Sequence, residues 1–139
     1  MTFEEAKRLV QDLMASMGQG SEGLNMKGLG GVEIGDAQLY FEYHSNRQAL
    51  ETSALIYKFR DAPKPGILDG FYAEEKAGTD TGGGAVDFEP ENKGLFLSRF
   101  YTDLPSVPTF QADMQRLTDA SLVWGKDVLD RVASKVFKR

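Results

Sequence analysis

Residues 85–101 of this chain read AVDFEPENKGLFLSRFY, and they indicate the class of fold more directly than any other stretch. Apolar and polar residues alternate over 86–89, and leucine and aromatic residues dominate 95–101, as is typical of two strands. Between them, Pro90-Glu91-Asn92-Lys93-Gly94 has the composition of a hairpin connection. Two strands joined by so short a loop run antiparallel. The stretch therefore predicts a β-hairpin within an antiparallel sheet.

The second strand of this hairpin is apolar on both faces. Leu95 and Leu97 point to one side, and Phe96 and Phe100 point to the other, because successive side chains alternate along a strand. An antiparallel sheet with one face in water normally alternates apolar and polar side chains. We therefore expect both faces to be covered. Either the first and the last helix cover different faces, or a second copy of the chain or a bound partner segment covers one of them.

The rest of the chain adds helices and further strands to this hairpin. Helical spacing of apolar residues begins at Thr2, which forms a capping box with Glu5. The predicted elements are a helix over 2–17, strands over 32–34, 37–44 and 50–59, a helix over 65–77, strands over 85–89 and 95–101, and a long helix from 109 almost to the end. This order predicts an α+β fold, with helices packed on an antiparallel sheet of about five strands. We expect a single domain over residues 1–139.

The long last helix is expected to bury one side. Its apolar stripe consists of Phe110, Met114, Leu117, Ser121, Trp124, Val128 and Val132, and Leu122, Leu129, Val136 and Phe137 broaden it. Residues this far apart share one face of a helix. The stripe therefore predicts that this helix packs on the sheet.

Composition excludes several kinds of site. The chain has 139 residues, a formal net charge of −5 and no cysteine. Disulfides, Fe–S clusters, zinc–thiolate sites and cysteine nucleophiles are therefore excluded. An acidic chain lacks the basic face that neutralises phosphates, so nucleic acid is not an expected partner. No apolar run approaches the ~20 residues that span a bilayer, and the first residues do not resemble a signal peptide, so we expect a cytoplasmic protein without a membrane partner.

Three motifs resemble parts of known sites, and each is incomplete. His44 is the single histidine, so it cannot begin a zinc site of the usual kind, and a surface histidine beside a turn is expected. Asp80-Thr81-Gly82 matches the aspartic-protease triplet, but polar residues rather than an apolar strand precede it. The glycines of 28–35 follow a helix and precede a strand, the reverse of the order in a dinucleotide site. We expect ordinary loops in the last two cases, and we expect no metal and no cofactor.

Carboxylates on the hairpin are the remaining candidates for chemistry. Asp87, Glu89 and Glu91 lie on or beside it, and a pair of carboxylates can serve as acid and base or hold calcium. No calcium-loop pattern is present, so we interpret them as a solvated surface. We expect no catalytic residues.

The order of elements is similar to that of the type III secretion chaperones, the small Tir-chaperone-like cytosolic proteins that bind effector proteins before export. Residues 82–99 resemble the hairpin of that family's fourth and fifth strands, after a glycine-containing loop. The helix over 110–132, with Trp124 inside it, resembles the family's final amphipathic helix. The glycine-rich loop over 18–31 and the polar Glu74-Glu75-Lys76 end of the middle helix depart from the pattern.

The resemblance implies two kinds of contact. It implies a homodimer formed by the middle helix and neighbouring strands, which in this chain correspond to Leu68, Phe71, Tyr72, Val86 and Phe88. It also implies apolar patches that hold an extended segment of a client protein, and the matching positions are Leu9, Leu13, Met14, Leu39 and Phe41.

The sequence leaves three functions open. The leading one is a non-enzymatic, homodimeric, chaperone-like protein that binds a partner segment of the effector type. The second is a small-ligand-binding or hydrolytic α+β enzyme that uses carboxylates such as Asp87 and Glu89 in a cleft. The third is a regulatory module that shares the chaperone fold, since fold alone does not determine function.

Overall fold

The computed structural model describes residues 1–137, and it confirms the predicted α+β class and order of elements. In chain order the elements are α1 (Phe3–Ser16), β1 (Leu29–Ile34), β2 (Ala37–His44), β3 (Ala49–Lys58), α2 (Ile67–Lys76), β4 (Ala85–Glu89), β5 (Gly94–Tyr101), α3 (Val107–Val123), a π-helical turn (Trp124–Val128) and α4 (Leu129–Val136). The last three form one long helix with a local change of pitch.

The five strands form one antiparallel sheet in the order β1-β2-β3-β5-β4. The hairpin predicted over 85–101 is confirmed as β4 and β5, with Ala85 opposite Ser98 and Glu89 opposite Gly94. The Asn92 side chain accepts a bond from the Gly94 N–H at 2.8 Å, which fixes the end of the loop. The sheet edges are β1 and β4.

All helices lie on one face of this sheet. Leu95, Leu97 and Tyr101 of β5 are buried in the same core cluster as α1 and α3. Tyr101 donates to Asp113 of α3 at 2.8 Å, and burial together with this bond raises the pKa of the tyrosine. The first and last helices therefore do not cover different faces, because both pack into this one core.

The opposite face carries no helix among the described residues, and we call it the open face. Alternation along the strands places on it Gln38, Tyr40, Glu42, Glu51, Ser53, Leu55, Ala85, Asp87, Phe96, Ser98 and Phe100. Phe100 is 41% exposed and Tyr40 is 43% exposed. The apolar side chains that the sequence places on the second face of β5 are thus partly exposed in the single chain.

The long helix has the predicted buried stripe, from Phe110 to Val132. It begins at Val107 rather than at 109, because Ser106 caps it and accepts from the Thr109 N–H. Leu122, predicted to broaden the stripe, is exposed. The π-helical turn was not predicted, and there a Cβ on Gly125 would lie 2.5 Å from the Ile56 carbonyl oxygen. Glycine therefore allows the helix to approach β3 this closely.

Two element boundaries differ from the prediction for local reasons. Strand β1 begins at Leu29 rather than at 32, and a Cβ on Gly30 would lie 2.6 Å from the Gly23 carbonyl oxygen. Helix α2 begins at Ile67, after Gly66 with φ of +91°, so Pro65 lies before the helix and not in its first turn. Within residues 1–137, no helix is long and apolar enough to cross a membrane.

Candidate functional site

The open face forms a groove with a volume of about 520 Å³. Its apolar walls include Leu29, Tyr40, Leu55 and Phe96, and it is open to solvent along one side. The rings of Tyr40 and Phe96 meet edge to face with centroids 6.0 Å apart. This geometry presents aromatic surface without closing over it. The groove can therefore receive a chain segment or a ligand from solution.

The small side chain of Ser53 lies between these walls. Tyr40 lies opposite Ser53, and Ser53 lies opposite Ser98 in the strand register. The two serine hydroxyl oxygens are 2.9 Å apart and hydrogen-bond to each other. One hydroxyl of the pair donates and the other accepts, so the polarity of the two serines is partly met within the chain.

The charges of the groove are mainly negative. Four carboxylates line it, from Glu42, Glu51, Asp87 and Glu89, whereas Lys58 is the basic residue among its described lining. Glu42 and Glu51 lie directly opposite each other on β2 and β3. Like charges in such a cross-strand pair repel. The groove is thus negative at the glutamate pair and again along β4.

His44 lies beside this glutamate pair, and we predicted it as a surface histidine next to a turn. It does precede the turn at Ser45, but it is half-buried, and its Nε2 is 2.8 Å from a Glu51 carboxylate oxygen. Its Nδ1 faces Glu42 at 3.9 Å. Sequence reasoning missed this cluster, although the register of the β2–β3 hairpin would have brought the three residues together.

The same three residues could offer ligands to a metal ion. One ligand atom from each of Glu42, His44 and Glu51 lies within 4.8 Å of the others. The two ring nitrogens, however, face different carboxylates, and a single ion can take only one of those nitrogens. The arrangement suits an imidazole that is hydrogen-bonded to Glu51 better than an ion held by all three residues.

An aromatic ring with a cation over it adjoins this cluster. The ring of Phe100 lies 5.8 Å from that of His44, and the Arg47 guanidinium lies 4.4 Å above the same ring. Because Phe100 is partly exposed, this corner extends the apolar surface of the open face beyond the groove.

The residues predicted to bind a client lie inside the chain's own core. Each is at most 3% exposed: Leu9, Leu13, Met14, Leu39 and Phe41. These side chains are therefore not exposed in the single folded chain, because α1 and β2 both contribute them to the core under α3. A role in client binding stays a prediction for them.

One of these five also borders a second groove, of about 290 Å³. Leu9 lines it together with Leu104, Pro105 and Val107, and the charged residues of α1 form its rim. Leu104 is half exposed. This groove is smaller than the open-face groove and lies on the helix side of the molecule.

The residues predicted to form a dimer interface lie on two adjacent elements, α2 and β4. Phe71 and Val86 are buried in the chain's own core, Leu68 and Phe88 are half-buried, and Tyr72 is 43% exposed. Burial, together with the nearby Asp87 and Glu75 carboxylates, raises the pKa of Tyr72. Tyr72 is thus the predicted interface residue that is most accessible to a second subunit.

The outer edge of β4 is partly blocked. The N–H of Val86 points away from β5 and donates to the Glu75 carboxylate of α2 at 2.8 Å. Unpaired strand edges attract other strands, and a charged side chain across the edge reduces this tendency. Any pairing of β4 with another strand must therefore displace Glu75.

The motifs that we expected to be ordinary loops have structural roles. Asp80 accepts from the Gly82 N–H at 2.8 Å, and its carbonyl accepts from the indole N–H of Trp124 at 2.7 Å. Its carboxylate and carbonyl are thus engaged within the chain. The glycines of residues 28–35 lead into and form part of β1. Asp87 and Glu89 are exposed on an edge strand and line one side of the open-face groove.

Comparison with known proteins supports the fold. No protein-family model matches the sequence, and no curated protein matches it. The structure is similar to a chain of the ExsC–ExsE complex, with a TM-score of 0.71 and 14% identity over 91% of this chain and 96% of that one. It is also similar to a chain of the HopA1–SchA chaperone–effector complex, with a TM-score of 0.67 and 17% identity over 89% of this chain and 95% of that one. The resemblance to the type III secretion chaperones is thereby confirmed at the level of the fold.

Proposed function

We propose that this chain is a chaperone-like protein that binds a segment of a partner protein on the open face of its sheet. One observation carries the proposal: in a fold similar to that of a chaperone–effector complex, aromatic side chains of the central strands stand uncovered. Exposed apolar surface beside polar residues is characteristic of protein-binding sites. Phe96 and Phe100 of β5 and Tyr40 of β2 would form the apolar part of the contact.

The test requires an identified partner and a variant of the open face. A partner that co-purifies with the chain is identified by mass spectrometry, and its binding segment is then produced separately. We expect Phe96→Ser combined with Phe100→Ser to weaken binding of that segment at least about tenfold, which corresponds to about 1.4 kcal/mol. Isothermal titration calorimetry measures the affinity.

The matched control changes exposed apolar residues on the helix side. Leu122 and Val123 of α3 are 42% and 50% exposed, comparable to Phe100. Leu122→Ser combined with Val123→Ser should leave the affinity unchanged. Equal losses from both double variants, or a failure to recover any partner, would contradict binding on the open face.

The proposed chaperone acts as a homodimer whose interface is centred on α2 and β4. The support is the exposed Tyr72 ring beside half-buried Leu68 and the β4 edge. In this dimer, Leu68, Tyr72 and Phe88 would meet the second subunit, while Phe71 and Val86 would support them from the core. Edge strands and apolar helix faces are common elements of such twofold interfaces.

Light scattering after size exclusion tests the dimer. The expected mass of the unmodified protein is twice the chain mass of 15.4 kDa. Tyr72→Asp should shift the protein to a monomer, because it places a charge in the apolar interface. Tyr40→Asp is the control, since Tyr40 is equally exposed but lies on the open face. A monomeric unmodified protein at micromolar concentration would overturn the dimer.

One observation favours the alternative of a small-ligand-binding or hydrolytic protein. Asp87 and Glu89 do line the open-face groove, and its volume lies within the range of small-molecule sites. Both carboxylates are nevertheless exposed, and a site for hydrolysis normally shields its acid and base from water. We therefore place protein binding first and expect no enzymatic activity. A regulatory module that shares this fold would also bind through the open face. Identification of the partner therefore distinguishes a chaperone-like protein from a regulatory module.

A further inference from the structure

The negative charge of the open-face groove exceeds what the composition of the chain predicts. The whole chain has 21 acidic and 16 basic residues, so its excess of acidic residues is modest. The groove, in contrast, is lined by four carboxylates and Lys58 within the described residues. The excess of carboxylates is therefore concentrated at a surface that also exposes aromatic rings.

The two carboxylates of the glutamate pair repel each other, and a cation bound between them would reduce this repulsion. Glu42 and Glu51 face each other across β2 and β3, and like charges at directly opposed positions destabilise a sheet. The His44 ring lies 2.8 Å from a Glu51 oxygen, within hydrogen-bond distance, and 3.9 Å from a Glu42 oxygen, so at most one of the two carboxylates is hydrogen-bonded to it. Arg47, a basic residue of this corner, lies over the ring of Phe100. Nothing in the described chain places a lysine or arginine between the two carboxylates.

The apolar walls determine what kind of cation fits. A metal ion or a small ammonium compound would leave Tyr40 and Phe96 uncovered, whereas an apolar side chain can pack between them. The carboxylates at the glutamate pair and on β4 flank these rings. A segment with an aliphatic or aromatic residue between lysines or arginines matches both features, since complementary charge favours encounter and sets the register.

We propose that the partner segment bound by the open-face groove is basic and apolar: an extended stretch of protein with lysine or arginine residues on both sides of a leucine or aromatic residue. This inference rests on the proposed function and adds the chemistry of the partner to it. The basic side chains pair with Glu42 and Glu51 at one end and with Asp87 and Glu89 at the other. The apolar residue packs against Tyr40 and Phe96.

Two synthetic peptides provide the probe. They have the same leucine and phenylalanine positions, and all other positions are lysine in one peptide and glutamate in the other. We expect the lysine peptide to bind at least about tenfold more tightly in calorimetry, a difference of about 1.4 kcal/mol. Its affinity should fall as salt is added, since salt screens exposed charges. Amide shifts in nuclear magnetic resonance should map the contact to β2, β3, β4 and β5.

Two matched variants separate the local charge from the overall charge. One neutralises the groove with Glu42→Gln, Glu51→Gln, Asp87→Asn and Glu89→Gln. The other removes the same number of charges elsewhere with Glu4→Gln, Glu22→Gln, Asp119→Asn and Asp130→Asn, all exposed positions outside the groove. We expect the first to abolish the preference for the lysine peptide and the second to preserve it.

The outcomes distinguish this inference from the proposed function. Equal affinities for the two peptides, equal effects of the two variants, amide shifts on the helix side, or no binding of either peptide would overturn the inference. An identified partner can lose affinity with Phe96→Ser and Phe100→Ser while its affinity is unchanged by salt and by neutralisation of the groove. In that case the proposed function stands, and the inference that the partner segment is basic fails. If the lysine peptide binds as expected but no protein partner is recovered, the proposed function fails instead.

Discussion

On β5, two neighbouring side chains meet opposite surroundings. Leu97 has no exposed surface, because α3 packs over it, whereas the half-buried Phe96 faces the open-face groove. The covered face of the sheet holds the chain together, and the open face adds aromatic surface that the fold does not need for its core. The comparison teaches that apolar character alone does not identify core residues in this strand. Matched changes on the two faces can test how far this division holds.

The largest difference in stability is expected between the Leu97→Ala and Phe96→Ala variants. Removal of the fully buried Leu97 side chain leaves a cavity under α3 and should lower the free energy of unfolding by about 2–5 kcal/mol. Phe96 is partly exposed and loses mainly its contact with Tyr40, so about 1 kcal/mol is expected. Urea unfolding followed by circular dichroism measures both. Equal losses would show that the open face also supports the fold.

A smaller difference is expected when one hydrogen-bond donor is removed from each face. Trp124→Phe leaves the Asp80 carbonyl without its indole donor and should cost about 1–3 kcal/mol. Tyr40→Phe removes an exposed hydroxyl that donates to the Gln38 side chain, and a change within about 0.5 kcal/mol is expected. Thermal unfolding measures both. A larger effect at Tyr40 would contradict the division between the faces.

Adjacent residues of β3 sharpen the comparison further. The buried Thr52 hydroxyl donates to the Arg99 carbonyl at 3.0 Å, so Thr52→Val should cost about 1 kcal/mol. Ser53 points to the open face and is partly exposed, and Ser53→Ala should stay within about 0.5 kcal/mol, because it removes a hydroxyl from a partly exposed position. Chemical unfolding of the two variants, compared with the unmodified protein, provides the measurement. The prediction fails if Ser53→Ala is the more damaging change.

The smallest effect is expected from an ion pair on the helix side, and it should depend on pH. Hydrogen bonds from Arg131 and Thr79 lower the pKa of Glu74 below its ordinary value of 4.5. A lowered carboxyl pKa stabilises the folded state above the unfolded-state pKa, and this contribution is lost as the pH falls through the folded-state pKa. Glu74→Gln should therefore lower the stability of the folded protein slightly at pH 7, and this effect should disappear at acid pH. Thermal unfolding at several pH values tests this, and Glu89→Gln on the open face serves as the control.

Local patterns were sufficient to predict most of the fold. The capping box of Thr2 and Glu5 fixes the start of α1, and two apolar-rich runs around a proline- and glycine-containing loop identify the β4–β5 hairpin. These features depend on residues close together in the chain. The start of β1 was missed because glycines disfavour strands, and its Gly30 is required by a distant backbone oxygen, that of Gly23.

The site could be predicted less well, because burial depends on contacts between distant segments. Leu39 and Phe41 alternate as apolar residues of a strand, but the sequence cannot show that α1 and α3 cover that side of it. The same pattern predicted that the second face of β5 would be covered, and within the described chain it is not. Glu42, His44 and Glu51 were missed as a cluster because only the β2–β3 register brings them together. Patterns along the sequence therefore predicted the strands, whereas tertiary packing determined which face of the sheet was available for binding.

The position of Trp124 gives the protein an internal fluorescence reporter of folding that is remote from the proposed binding surface. It is the single tryptophan of the chain, it is fully buried, and its ring stacks on Phe71 on the helix side of the sheet. Its fluorescence emission should shift when the helices separate from the strands, yet a peptide that settles against Tyr40 and Phe96 touches none of its surroundings. A spectrum recorded during a titration can thus distinguish ligand uptake from unfolding in a single sample.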